Sequence, residues 1–211
     1  MSMKMKIVLA TAVTGVLAAS AAAGSGGMDA LQQLGGALRS APAWHGEYTQ
    51  EYISAGMSSG EVLVGEVLAA WPDRALFHTG DPTTQLMGLD GRVVRLVDFS
   101  VPSCDEHLLD DDEWARIPLA AVLDPQSALD HFTVLEHGEH GFALVPREPG
   151  GVARLEVVLN EANLPQEVVV IDPQGATNRL RFTGWRRVDG PPGGSWLPDS
   201  PPGLDCIGDN P

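Results

Sequence analysis

The chain has 211 residues, with 28 acidic against 13 basic side chains and a formal net charge of −15. Such a surface repels nucleic acid and anionic membranes, so neither is expected as a partner, while solubility and basic partner surfaces are favoured. Past the first two dozen residues no stretch approaches the roughly 20 apolar residues that a membrane span needs, so stable membrane insertion is not expected either.

Lys4 and Lys6 precede the apolar run "IVLATAVTGVLAA", and the small-residue stretch "ASAAAG" follows. This is the order of a cleavable signal peptide, placed over residues 1–23 with cleavage after Ala21 or Ala23. It directs the chain to export into an oxidising compartment, in which Cys104 and Cys206, the only cysteines, are expected to form a disulfide. No cysteine stands near the cleavage position, so no lipid attachment is expected there. Residues 24–28, rich in Gly and Ser, read as a flexible joint.

The domain itself is expected over 29–208. In "MDALQQLGGALRSA", Leu31, Leu34 and Leu38 recur at helical spacing, with Asp29 placed to cap. From Trp44 onward the texture changes to short alternating segments separated by Gly, Pro and Asp. "EVLVGEVLAAW", "RALFHT", "TQLMGL", "RVVRLVDF", "HFTVLE" and "GFALVP" all read as strands. Leu155, Val157 and Leu159 fall on one face against Arg154 and Glu156, and Leu180 and Phe182 oppose Arg179 and Arg181. Alternation of this kind predicts an antiparallel sheet with one dry and one wet face. Asp-Gly at 90–91, "HGEHG" at 137–141 and "DPQG" at 172–175 carry hairpin chemistry. The segment 110–124, "DDDEWARIPLAAVLD", instead has an acidic start and the helical period, which predicts a second helix. The Pro- and Gly-rich tail has room only for short edge strands.

A single sheet of about ten strands curls under its own twist into a barrel or splits into a sandwich. The residues thus predict a mainly β fold with helices (α+β) built on one antiparallel sheet. Two amphipathic helices are available to cover its concave apolar face, either filling it or roofing a cavity for an apolar ligand.

Three local patterns invite chemistry. "GMSSG" at 56–60 satisfies G-x-S-x-G, yet the segments on either side read as strands, whereas a nucleophile elbow needs a helix directly after its Ser. Ser58 is therefore read as a turn residue and no enzyme is expected. "HGEH" and "CDEH" place His137 with His140, and Cys104 with His107, three apart. The first pair lies in a predicted hairpin tip and Cys104 is expected in the disulfide, so no metal site and no cofactor is expected. The run "DEHLLDDDE" lacks the central Gly of a calcium loop and reads as a solvated acidic loop feeding a helix.

The ordered landmarks resemble the periplasmic lipoprotein carrier family, LolA. They are "WHGEYTQEY", "GEVLAAWPDRALFHTGDP" with Pro72 and Pro82, "DGRVVRLVD", "IPLAAVLD", "FTVLEHGEHGFALVPRE", "VVVIDPQGATNRLRF" and "PPGLDCI". The resemblance implies the fold class, mainly β with lid helices (α+β): a single curved antiparallel sheet of about ten strands forming an open half-barrel, whose apolar interior receives the acyl chains of lipoproteins. It implies three partners: acylated lipoproteins, an inner-membrane lipoprotein-releasing ABC transporter, and an outer-membrane lipoprotein acceptor, with the carrier acting as a monomer. Cavity and lid candidates are Leu68, Trp71, Phe77, Leu119, Val122 and Leu123. The family's x-R-P motif has Arg before Pro; here that position is Trp71, and Arg74 is the candidate displaced gating residue. The alternative is an envelope sensor, regulatory or lipid-binding module of the same fold without transfer activity.

Overall fold

In the computed structural model, which describes residues 25–208, the stripe of Leu31, Leu34 and Leu38 forms the buried face of helix α1 (Ser25–Arg39). The expected signal peptide lies outside the described residues. The helix begins at Ser25 and not at Asp29, so residues 25–28 are helical where a flexible joint was expected. Packing explains the extension. A Cβ at Gly27 would lie 2.6 Å from the carbonyl oxygen of Leu135, so the first turn sits directly on a strand. Met28 packs against the core, and such contacts outweigh the weak helical preference of glycine.

Six strands follow: β1 (Ala43–Ile53), β2 (Glu61–Ala70), β3 (Arg74–Thr79), β4 (Gln85–Asp90), β5 (Val93–Asp98) and β6 (Ser103–Leu108). Three short helices interrupt them: α2 (Asp111–Arg116), α3 (Pro118–Leu123) and α4 (Ala128–His131). The chain then returns through β7 (Phe132–Glu136), β8 (Gly141–Pro146), β9 (Arg154–Leu159), β10 (Pro165–Ile171), β11 (Thr177–Val188) and β12 (Ile207–Gly208). All join one sheet in the order β12-β6-β5-β4-β3-β2-β1-β11-β10-β9-β8-β7. Its two outer strands do not pair with each other, so the curved sheet stays open, as expected. Every pairing is antiparallel except that of β12 with β6.

The sheet has twelve strands rather than ten. The two that sequence alternation does not announce are β6 and β12. β6 reads "SCDEHL", a polar segment with no apolar period, and β12 is two residues long. Covalent connection supplies what pattern lacks: Cys104 in β6 is bonded to Cys206, beside β12.

The helical segment 110–124 also divides. Asp110 and Glu113 form a capping box at the start of α2, the side chain of each accepting from the backbone of the other. Ile117 then takes an extended conformation (φ −80°, ψ 121°), because the residue before a proline is driven out of the α region. A second helix starts at Pro118.

Antiparallel register assigns the faces. Val67, Phe77, Met87 and Leu96 are directly paired across β2, β3, β4 and β5, so all four point to the concave side. Trp44, Ala69, Ala75 and Leu89 form the next concave row. On the other half of the sheet, Phe142, Val157, Val168 and Leu180 continue that face. Helix α1 covers the β7–β9 end of the concavity, while α2 and α3 lean on the β2–β4 end.

The convex face is not uniformly wet. Ala43, Leu68, Ala70 and Leu76 are buried there beneath Trp196 of the C-terminal tail. The tail passes so close to β4 that a Cβ at Gly88 would lie 2.3 Å from the carbonyl oxygen of Trp196. The tail is thus a strap, held down at its end by the disulfide.

Candidate functional site

Between α3 and the concave wall lies an apolar cavity of about 390 Å³. Its floor is built by alternation: Phe77, Met87 and Leu96 from β3, β4 and β5, and Val168, Val170, Leu180 and Phe182 from β10 and β11. Its roof is Ile117, Pro118, Leu119 and Val122. Tyr48 stands at the centre, edge-on to Phe77 with ring centroids 5.6 Å apart, and tilted against Phe182 at 6.3 Å. The Tyr48 hydroxyl meets Thr79 Oγ1 at 2.6 Å. Burial pushes its phenol pKa up, opposed by that hydrogen bond, so the ring is neutral at any physiological pH.

Toward one end of the sheet the lining becomes polar without a charged side chain, and the Asp98 carboxylate stands beside it, paired with Gln85. Gln50, Thr79, Gln85 and Asn178 line this part. Gln50 Nε2 donates to Asn178 Oδ1 at 3.0 Å, and Gln85 Nε2 donates to Asp98 Oδ2 at 2.8 Å. Leu96 is 40 % exposed, which marks where the cavity reaches solvent. A groove of about 590 Å³ on the opposite face is larger, but Glu47, Glu66, His78 and Asp81 line it. Apolar ligands therefore have one suitable place among these two.

The sequence-derived candidates separate cleanly. Phe77, Leu119 and Val122 line the cavity. Leu123 lies in the adjoining core against Phe77 and Leu89 and is 2 % exposed, so it supports the roof from behind. Leu68 is displaced: it pairs with Leu76 and His45 on the convex face, and its neighbour Val67 takes the concave position. One residue of register inverts the assignment. Trp71 stands in the β2–β3 turn, 43 % exposed, with the Arg39 guanidinium 5.6 Å from its ring centroid. Arg74 donates to Asp90 at 3.0 Å at the surface. Neither Trp71 nor Arg74 reaches the cavity. Cys104 and Cys206 are bonded, their Cα atoms 4.5 Å apart across 102 residues of sequence.

Several lining residues escaped the sequence reading. Leu180 and Phe182 carried a usable signal, since they alternate with Arg179 and Arg181. Val168 and Val170 lie in the unbroken run "VVVI", where alternation gives no face. Tyr48 and Met87 had no distinguishing context.

Ser58 lies exposed in the link between β1 and β2, and no helix follows it. Gly56 takes φ +78°, and a Cβ at Gly60 would fall 1.7 Å from the Tyr52 carbonyl oxygen. The glycines shape this turn and Ser58 does not. Among the described residues no three His, Cys, Asp or Glu side chains converge as metal ligands, and no helix is long and apolar enough to cross a membrane.

A family model, described as outer membrane lipoprotein carrier protein LolA, matches residues 39–192. The chain belongs to the LolA family. Among solved structures, this LolA-family chain is similar to an uncharacterized conserved protein from Thermus thermophilus, with a TM-score of 0.50. Their identity is 13 % over 86 % of this chain and 98 % of that one. It is also similar to a LolA superfamily protein from Nitrosomonas europaea, with a TM-score of 0.44 and 9 % identity over 80 % and 96 % of the two chains. A chain of the MucA/MucB complex of Pseudomonas aeruginosa gives a TM-score of 0.45 and 18 % identity, over 75 % of this chain and 56 % of that one. Identities this low speak to fold alone. No curated protein matches the sequence.

Proposed function

We propose that this LolA-family chain is a periplasmic carrier that holds the acyl chains of lipoproteins in its half-barrel cavity and moves them from the inner to the outer membrane. The observation that carries this reading is the cavity itself: a predominantly apolar lining, free of charged side chains, beneath a short helix. Burying acyl chains there gains about 0.8 kcal/mol per methylene, so retention is easily achieved and release is the harder requirement.

The roof meets that requirement. Helix α3 has six residues and no side-chain hydrogen bond at its N-terminal cap, so packing rather than intrinsic helicity holds it in place. Leu119 and Val122 face the same apolar wall that acyl chains would cover, so lid and cargo compete for it. An inner-membrane ABC transporter would load the carrier and an outer-membrane acceptor would unload it, with the carrier monomeric throughout. No covalent step and no cofactor enters this cycle.

Purified protein should bind the neutral apolar dye Nile red and release it to a synthetic triacylated lipopeptide. It should also move radiolabelled lipoprotein from inner-membrane vesicles to outer-membrane vesicles. Failure to bind any acyl ligand would sink the reading. Binding without transfer would identify a lipid-binding or regulatory module of the same fold instead.

A further inference from the structure

The cavity wall is apolar with one exception, and that exception is one-sided and ordered. On each of β1, β3, β4 and β11 an apolar lining residue (Tyr48, Phe77, Met87, Leu180) is followed toward one and the same end of the sheet by a polar one (Gln50, Thr79, Gln85, Asn178). The order repeats strand by strand: Gln50 stands two residues beyond Tyr48, Thr79 two beyond Phe77, Gln85 two before Met87 and Asn178 two before Leu180. The boundary is staggered, so that Thr79 and Gln85 share a row with Tyr48, and Gln50 with Leu180. From the other half of the sheet, Asn178 reaches Gln50 on β1. Polar groups thus form a staggered collar along one end of an apolar chamber.

Each amide brings two donor positions and two acceptor sites. The bonds between Gln50 and Asn178 and between Gln85 and Asp98 use a fraction of that capacity and fix the side chains. What remains is a mixture of donors and acceptors without a formal charge. The nearest carboxylate, Asp98, is bonded to Gln85 and to the backbone N–H groups of Ser100 and Val101. Arg179 and Arg181, which follow Asn178 on alternate positions, point to the other face and pair with Glu167. No lining side chain is basic.

We propose that the collar of Gln50, Thr79, Gln85 and Asn178 recognises an uncharged headgroup bearing ester or amide carbonyls and hydroxyls, and disfavours anionic amphiphiles such as free fatty acids and phosphate-headed lipids. The proposal rests on the acyl-binding reading of the cavity and adds the class of headgroup to it. Acyl chains fill the inner rows, and the first polar atoms of the ligand meet the collar. A carboxylate or phosphate placed there finds no cation and lies close to Asp98. A carbonyl or hydroxyl finds an amide of either polarity. The same chemistry occurs in a free acylglycerol and in the acylglyceryl group of a lipoprotein.

The test is competition against Nile red on the full-length mature protein at pH 7.5, using 1-monooctanoylglycerol and octanoate, which share one acyl chain. The decisive variant is Gln50→Leu combined with Asn178→Leu. A cavity that is merely greasy would hold the glyceride more tightly once two amides become leucines. The collar predicts the opposite sign: affinity for 1-monooctanoylglycerol falls about fivefold or more, while Nile red affinity stays level or rises. Loss of the neutral-over-anionic preference in the variant supports the proposal, and an unchanged or tightened glyceride affinity overturns it. If wild-type protein binds neither Nile red nor any acyl ligand, the carrier reading itself has failed. If it binds them all without regard to headgroup, the carrier reading stands and the collar falls. Comparing 1,2-dioctanoylglycerol with N-acetyl-S-(2,3-dioctanoyloxypropyl)cysteine amide assigns the source: tighter binding of the thioether supports recognition of the lipoprotein anchor, and equal binding supports recognition of the glyceride alone.

Discussion

The guanidinium of Arg39, in the last turn of α1, lies 5.6 Å from the ring centroid of Trp71 in the β2–β3 turn. Resemblance to the LolA family placed a gating arginine at position 71 and made Trp71 the anomaly. In the fold, the basic group comes from the helix and the aromatic group from the sheet, so a cation–π pair joins the two elements. Arg74, the expected substitute, is committed to Asp90 instead. Replacing Trp71 or Arg39 by Ala should each cost about 0.5–1 kcal/mol. The double variant should cost less than the sum of the two, which urea unfolding of the four proteins would show. Full additivity would mean that the pair does not couple α1 to the turn.

Leu68 and Phe77 lie on opposite faces of the sheet, and their substitutions should separate stability from binding. Leu68→Ala removes a side chain packed beneath the tail and should cost about 2–4 kcal/mol with Nile red affinity preserved. Phe77→Asp places a charge in the cavity wall and should lower that affinity at least tenfold. Loss of binding in Leu68→Ala at a temperature where it remains folded would contradict the assignment of faces.

The disulfide between Cys104 and Cys206 closes a long loop and pins the tail over Leu68 and Leu76. Reduction, or Cys206→Ser, should destabilise the protein by about 2–5 kcal/mol. It should also raise hydrogen exchange in Trp196 and its neighbours ahead of the rest of the sheet. Uniform exchange after reduction would argue against a strap.

His78 lies across from Glu66 on the convex face, in a groove that also holds Glu47 and Asp81, with His45 bonded to Glu66 nearby. Burial holds its pKa below the ordinary imidazole value; the Glu66 carboxylate opposes this and His45 adds to it. A base with a lowered folded pKa binds fewer protons folded than unfolded, so stability rises with pH. Its contribution is complete above about pH 6.5 and is lost as pH falls from there through the lower folded pKa. Urea midpoints between pH 7.5 and 5.5 should decline less steeply in His78→Gln than in the parent. Parallel slopes would remove His78 from this account.

In the link that carries G-x-S-x-G, Ser58→Ala should leave both stability and binding unchanged, since the side chain is exposed. Gly60→Ala should cost on the order of 1 kcal/mol or more, because its Cβ would collide with the Tyr52 carbonyl. Thermal melts decide between them. A hydrolytic activity lost in Ser58→Ala would reopen the catalytic interpretation.

How far the sequence reaches can be judged from particular segments. Strands with one wet and one dry face, such as β9 and β11, declare both their existence and their orientation. β6 declares neither, because its place comes from the Cys104 bond and from pairing with β5 rather than from an apolar pattern. Leu68 shows the sharper limit. "EVLVGEVLAA" is apolar on both faces near its end, since the tail buries one and the lid helices the other, and no periodicity says which residue faces the cavity. Trp71 failed for another reason. Its position was transferred from a motif, while its direction depends on Arg39, more than thirty residues earlier in the chain.

The central claim is that lipoprotein acyl chains lie between α3 and the concave wall. Photocrosslinking in living cells tests it most directly, with the crosslinker placed in turn at Leu180 inside the cavity and at Trp71 outside it, after labelling with radioactive palmitate. The account predicts labelled lipoprotein adducts from position 180 and few or none from position 71. Adducts of equal strength at both positions, or none at position 180, would contradict it.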